Sequence, residues 1–292
     1  MIVGLDHVVV LVRDIDAASS AYAALLGRKP AWRSADEASA SVLFTLDNMS
    51  VELLAPVAGA AGDHVRGAID ASGEGLASLC LRVEDIANWH RRLDRLGLKP
   101  EAIGDGGSRN LIDGASLSWK RTRAATDAAH GVRLFFLEMN GQRPASEISA
   151  DAPITGLDHV VVETADPERA AALYGARLKL DMRLDRSHAD WGHLMFFRCG
   201  DLIVETVKRA GKDYSDGRDR LWGLSFRVDD IVAARTRMQA AGIDVSEPRA
   251  GRKPGTQVAT VRSGTCGVPT ILLQPPVRVQ RGKSNDLSAV PA

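Results

Sequence analysis

The segment Gly4-Leu5-Asp6-His7-Val8-Val9-Val10 returns unchanged as Gly156-Leu157-Asp158-His159-Val160-Val161-Val162, so His7 and His159 stand 152 positions apart in a chain of 292. A period of half the chain is domain-sized, well beyond the roughly 20–50 residues of a solenoid repeat. Each copy reads as a buried strand in which β-branched residues surround one imidazole. Each then leads into a helix opened by an acidic residue, Asp14 or Asp166.

The same order of elements runs twice within each half. In the first unit a helix over residues 14–26 carries Ile15, Ala18, Tyr22, Leu25 and Leu26 at helical spacing and stops at Gly27. Strands follow at 31–34, 41–46 and 50–54, ending at Pro56. An Ala- and Gly-rich connection, 57–75, holds a short helix near 64–69. The pattern restarts with a strand at 76–83, a helix at 84–96 with Ile86, Trp89, Leu93 and Leu96 inward, and strands at 117–121 and 132–138. Gly104-Asp105-Gly106-Gly107 opens no helix that would cradle phosphate and reads as a turn. Residues 141–153, with Gly141, Pro144 and Pro153, read as a linker. The second half repeats the scheme with helices at 166–178 and 230–241. Tyr174 matches Tyr22, and Glu205 in Leu202-Ile203-Val204-Glu205-Thr206 matches Glu52 in Val51-Glu52-Leu53-Leu54. The expected architecture is α+β: four tandem βαβββ units in two half-barrel domains, 1–145 and 153–278, with a disordered tail at 279–292.

The 37 basic and 37 acidic side chains cancel, which removes a global field for nucleic acid or an anionic membrane and leaves a small molecule as the expected partner. No apolar run approaches a membrane span. Cys80, Cys199 and Cys266 are isolated from one another, as in a protein of the reducing cytoplasm. If each unit curls, His7 with Glu52 and His159 with Glu205 supply nitrogen and carboxylate ligands suited to Zn²⁺, Mn²⁺, Fe²⁺, Co²⁺ or Ni²⁺. The bland alternatives are a core histidine, and a glutamate at a wet edge.

On Gly4-Leu5-Asp6-His7-Val8-Val9-Val10-Leu11-Val12-Arg13-Asp14, Val51-Glu52-Leu53-Leu54-Ala55-Pro56, and Leu117-Ser118-Trp119 with Leu134-Phe135-Phe136-Leu137-Glu138, the chain resembles the vicinal oxygen chelate superfamily. That group includes glyoxalase I, extradiol dioxygenases and bleomycin-resistance proteins, and the N-terminal half looks most like its glyoxalase-like domain family. The resemblance implies a ligand position on the first and last strand of each unit. His7 and Glu52 occupy both in the first unit, His159 and Glu205 both in the third. Counting from the Asp that opens each helix, the second and fourth units carry Ser78 and Gly223 at the histidine position and Phe135 and Ile271 at the glutamate position. Glu138 lies three residues beyond Phe135, on the other face unless a bulge turns it inward as a third ligand.

Three readings follow. Each cup holds a divalent ion with one His and one Glu and lets a substrate chelate it; or the His7 unit meets the His159 unit, within the chain or across a homodimer, giving two His and two Glu; or no metal binds and the apolar cup, with Trp119, Phe135 and Ser78 in its lining, sequesters a drug-like or aromatic ligand. The first makes the protein a glyoxalase- or dioxygenase-type enzyme, a lyase or isomerase among the options. Gly223 and Ile271, where ring cleavage is expected to need ligands, count against an extradiol dioxygenase. His64 sits where it reaches the first cup, while His188, Asp190 and His193 read as a surface cluster.

Overall fold

The computed structural model describes residues 1–276, so the tail expected to be disordered at 279–292 lies outside the described residues. The first half contains β1 (Ile2–Leu11), α1 (Ile15–Leu26), β2 (Trp32–Ala35), β3 (Ser39–Thr45), β4 (Ser50–Pro56), α2 (Asp63–Ser72), β5 (Gly75–Val83), α3 (Ile86–Arg95), β6 (Gly104–Arg109), β7 (Ser116–Arg123) and β8 (Leu134–Asn140). The second half contains β9 (Gly156–Glu163), α4 (Pro167–Ala170, continued as a π-helical stretch over Ala171–Arg177), β10 (Asp181–His188), β11 (Gly192–Cys199), β12 (Leu202–Lys208), β13 (Arg220–Arg227), α5 (Ile231–Ala240), β14 (Arg249–Ala250), β15 (Gln257–Val261) and β16 (Thr270–Gln274). No helix among these residues is long and apolar enough to cross a membrane.

The strands form two eight-stranded sheets, ordered β2-β3-β4-β1-β5-β8-β7-β6 and β10-β11-β12-β9-β13-β16-β15-β14. In each, first strands of neighbouring units run antiparallel at the centre, β1 against β5 and β9 against β13. Units therefore pair as neighbours, and the arrangement in which the His7 unit shares a sheet with the His159 unit does not occur within the chain. The reason is local: a short connection through α2 returns the chain directly alongside β1.

Four aspartates open the four main helices by one device. Asp14 Oδ1 accepts from the backbone N–H of Asp16 and Ala17, Asp85 from Asn88, Asp166 from Arg169, and Asp230 from Val232 and Ala233. Period-two alternation does the rest: Val8, Val10 and Val12 turn to the helices and are fully buried, while His7, Val9 and Leu11 turn to the concave face. Tyr22 against Phe44 and Tyr174 against Phe197 pack at equivalent places between helix and sheet, with centroids 6.5 and 5.7 Å apart.

Gly104-Asp105-Gly106-Gly107 is not a turn but the body of β6, paired to β7. Glycine suits it because the Trp119 indole lies flat over Gly106, where an added Cβ would stand 2.3 Å from Trp119 Nε1. The strand brings one border of the first sheet against the other without a ladder between them. Trp32 Nε1 of β2 donates to Ser108 Oγ of β6 at 2.6 Å, Leu111 N–H donates to the Arg33 carbonyl at 2.7 Å, and buried Asn110 accepts from Arg33 N–H through Oδ1 at 3.0 Å.

Candidate functional site

The concave face of the first sheet encloses a cavity of about 600 Å³, a volume suited to a small organic molecule. His7 and Val9 on β1, Glu52 on β4, Ser78 and Cys80 on β5, and Phe135 on β8 contribute to its floor. Register explains the convergence. Val9 lies opposite Glu52 in the β1–β4 pair, and His7 opposite Cys80 in the β1–β5 pair, so period two brings the imidazole beside both Glu52 and Cys80. Cys80 in turn lies opposite Phe135, which puts Phe135 at the place that Glu52 holds in the first unit.

His7 is held at both ring nitrogens. Nδ1 meets Asp6 Oδ1 at 2.8 Å and Nε2 meets Glu52 Oε2 at 3.2 Å. Arg143, from the segment after β8, donates through Nε to Asp6 Oδ1 at 2.8 Å and locks that carboxylate. Burial opposes charge on the imidazole, but Cys80, Asp6 and Glu52 outweigh it and raise its pKa well above the ordinary value. Burial likewise opposes ionisation of Asp6 and Glu52, yet His7 and Arg143 hold both below the usual carboxylate range.

The second half repeats the constellation with different electrostatics. His159 Nδ1 meets Asp158 at 2.9 Å and Nε2 meets Glu205 Oε2 at 3.4 Å. Burial dominates at Glu205 and pushes its pKa up, whereas Asp158 is held down, against its burial, by His159 and Arg227. Arg227 divides itself between Asp158 and Asp201, whereas Asp6 is the one carboxylate that Arg143 pairs with among the described residues. Ser225 and Ile271 lie opposite each other where Cys80 and Phe135 do in the first cup.

Glu138 does not turn inward. Its Oε2 accepts the Ile86 backbone N–H at 2.7 Å, serving the start of α3 on the far side of the sheet, so the set His7, Glu52 and Glu138 is not assembled. Trp119 and His64 line the cavity, the latter from α2. Trp191 stacks on His188 at 4.9 Å and packs on Val161, Trp222 lies under Arg209, and His193 pairs with Asp185; none of these contacts the His159–Glu205 pair through a hydrogen bond or ion pair among the described residues. Arg143 was not singled out from the sequence. It falls in the linker, and only the fold returns it to Asp6.

Two ligands bonded in cis to one divalent ion at about 2.1 Å would stand about 3 Å apart, close to the His7–Glu52 separation. An acidic group on the other ring nitrogen is the usual outer support of a ligating imidazole, and Asp6 supplies it. The remaining positions carry the Ser78 hydroxyl and the Phe135 ring. Among the described residues no group of three or more His, Cys, Asp or Glu side chains is placed to hold one ion. The pair thus fits an ion that takes its other ligands from bound oxygens.

A model of the family described as "Glyoxalase-like domain" matches residues 5–192. The chain belongs to the glyoxalase-like domain family. A second family model, described as "Glyoxalase/Bleomycin resistance protein/Dioxygenase superfamily", matches residues 158–260, so both halves of this glyoxalase-like protein fall in the vicinal oxygen chelate superfamily that its repeats resemble. No curated protein matches. Among solved structures, a mutant 4-hydroxymandelate synthase from Streptomyces coelicolor superposes with TM-score 0.68 at 15% identity, covering 94% of this chain and 93% of that one. The Mn(II)-bound glyoxalase from Novosphingobium aromaticivorans gives 0.63 at 14%, covering 94% and 82%, and a catechol 2,3-dioxygenase gives 0.61 at 14%, covering 94% and 88%. At these identities the likeness establishes the fold.

Proposed function

We propose that the N-terminal cup is the active site of a divalent-metal-dependent enzyme of glyoxalase or dioxygenase type, acting on a small molecule that offers two adjacent oxygens. The observation that carries this reading is the approach of His7 Nε2 and Glu52 Oε2, 3.2 Å apart, at the floor of a concave cavity, with Asp6 behind the ring. His7 and Glu52 would hold the ion, which when bound supplies Lewis acidity to coordinated oxygens. Asp6, gripped by Arg143, fixes the orientation of the imidazole. Glu52 has a second capacity as a proton acceptor for a carbon or hydroxyl proton of the bound molecule, since its carboxylate is held ionised. Val9, Leu11, Leu54 and Leu137 give the cavity apolar surface beside the reacting atoms. The three unbridged cysteines suit a reducing cytoplasm.

Metal analysis tests this. Protein purified without chelator and soaked in Mn²⁺ is expected to hold about one equivalent, lost in His7→Ala and kept in His159→Ala. Absence of uptake, or uptake indifferent to His7→Ala, overturns the reading. One observation favours a second reading, a metal-free acid–base pair: His7 lies between two ionised carboxylates and retains its proton. In that case turnover survives EDTA and is lost in Glu52→Gln.

A further inference from the structure

We infer that the ligand of the N-terminal cup is an organic anion, with a carboxylate or phosphate group at one end and an apolar or aromatic body. The inference deepens the reading of this cup as the ligand site and rests on it. Five arginines line the cavity, in a chain whose formal net charge is zero. Two are spoken for: Arg143 holds Asp6, and Arg123 donates to Glu101 Oε1 at 2.5 Å. Arg109, Arg121 and Arg133 have no carboxylate partner among the described residues. Of the cavity's own acids, Glu52 is paired to His7, Glu101 to Arg123, and Asp36 accepts from the Ala38 and Ser39 backbone.

Their placement is ordered. On β7, Trp119, Arg121 and Arg123 alternate onto the concave face; Arg133, immediately before the neighbouring strand β8, precedes Phe135 and Leu137 by the same period of two. Arg133 is half-buried, and burial together with neighbouring Arg123 lowers its pKa against the smaller opposing pull of Cys80 and Glu101, while no carboxylate among the described residues bonds it directly. A guanidinium in that position gains most from a two-oxygen anion, which it binds through paired N–H donors. Across the cavity the β1, β4 and α2 side presents Val9, Leu11, Leu54 and Val65, and the cations there, His7 and Arg143, are already matched by Asp6 and Glu52. One wall is thus charged and the other oily, and the His7–Glu52 pair lies between them. An amphiphilic acid fills such a space with its headgroup toward β7 and β8.

Benzoate, phenyl phosphate, benzyl alcohol and benzylamine separate the possibilities when titrated by calorimetry into EDTA-treated protein at low salt. Either anion is expected to bind at least about tenfold more tightly than the alcohol or amine, and the tighter of the two names the headgroup. Arg133→Gln is expected to weaken anion binding about tenfold, one charged hydrogen-bonding group being worth about 1.5 kcal/mol or more, and added salt weakens it further. Arg121→Gln reports the same contact from β7 should Arg133→Gln shift the melting temperature, and Arg91→Gln on the outer face of α3 is the control. Equal binding of the alcohol or amine, or anion affinity unchanged in both cavity variants, overturns the inference. Its failure is distinct from failure of the metal reading, because metal uptake tracks His7 and anion affinity tracks Arg133.

Discussion

His7 carries an acid on each ring nitrogen, and that fixes how the metal-free protein responds to pH. The pKa of Asp6 is lowered on folding, so its contribution is complete above its unfolded value of about 3.9 and is lost as pH falls below that. His7 is raised, so its contribution is complete below about 6.5 and is lost as pH rises through the folded value. Glu52 is lowered as well, and its contribution is complete only above about 4.3. Urea midpoints of EDTA-treated protein should therefore be highest between about pH 4.5 and 6.5, and His7→Gln should flatten the alkaline limb. The pairing of His7 with Glu52 is legible in the sequence because both halves repeat it at matching strand positions. Asp6 and Arg143 were hidden for opposite reasons. Asp6 reads as part of a strand motif, and Arg143 becomes a neighbour only when the chain end of the first half folds back over β1. At Glu138 period-two counting puts the side chain on the α3 side, and its hydrogen bond to Ile86 N–H agrees, so no bulge turns it inward. Glu138→Ala should cost about 1 kcal/mol through loss of the bond to Ile86 N–H, measured by urea denaturation, with no change in metal uptake.

Elements were readable wherever a periodic apolar stripe met a capping aspartate, as in α1, α3 and α5. The failures are strands whose stability comes from elsewhere. β6 has the composition of a loop and is held flat because the Trp119 indole needs glycine beneath it. The widened turns over Ala171–Arg177, which carry Leu173 and Tyr174 into the core, leave no mark in the spacing of apolar residues. β14, two residues long, gave no signal at all. Beside the Trp32–Ser108 and Leu111–Arg33 bonds, one amide side chain ties β2 to the chain after β6: Asn110 accepts from Arg33 and Ile112 N–H and lies within reach of the Ala31 carbonyl. Asn110→Ala should cost roughly 1–3 kcal/mol, the penalty of leaving buried backbone groups without partners, and should weaken ligand binding by more than the stability loss alone, because the cavity wall opens. Comparison of urea midpoints with calorimetric affinities checks both.

At the scale of the molecule, duplication was plain in the sequence, while the intimacy of the two halves was not. One apolar core runs through both, from Leu5, Tyr22 and Phe44 to Tyr174, Phe197 and Phe226. Backbones meet across the junction: Gly200 approaches the Val3 carbonyl and Gly131 that of Asp219, with no space for a methyl group. Arg28 reaches the Ile154 carbonyl, Asn48 both donates to and accepts from the backbone of Leu157, and Tyr22 donates to the Thr265 carbonyl. Scanning calorimetry should accordingly give a single endotherm whose calorimetric and van't Hoff enthalpies agree, where two separable domains would give two.

The join between β2 and β6 has a further effect on what the surface offers to other chains. Arg33 gives its N–H to Asn110 and its carbonyl to Leu111, so curvature leaves that stretch of β2 no free backbone group to template an incoming strand. The C-terminal sheet ends instead in β10, and there Asp181, Arg183, Asp185 and Arg186 stand along the outermost strand. Charge on that border does for one half what curvature does for the other.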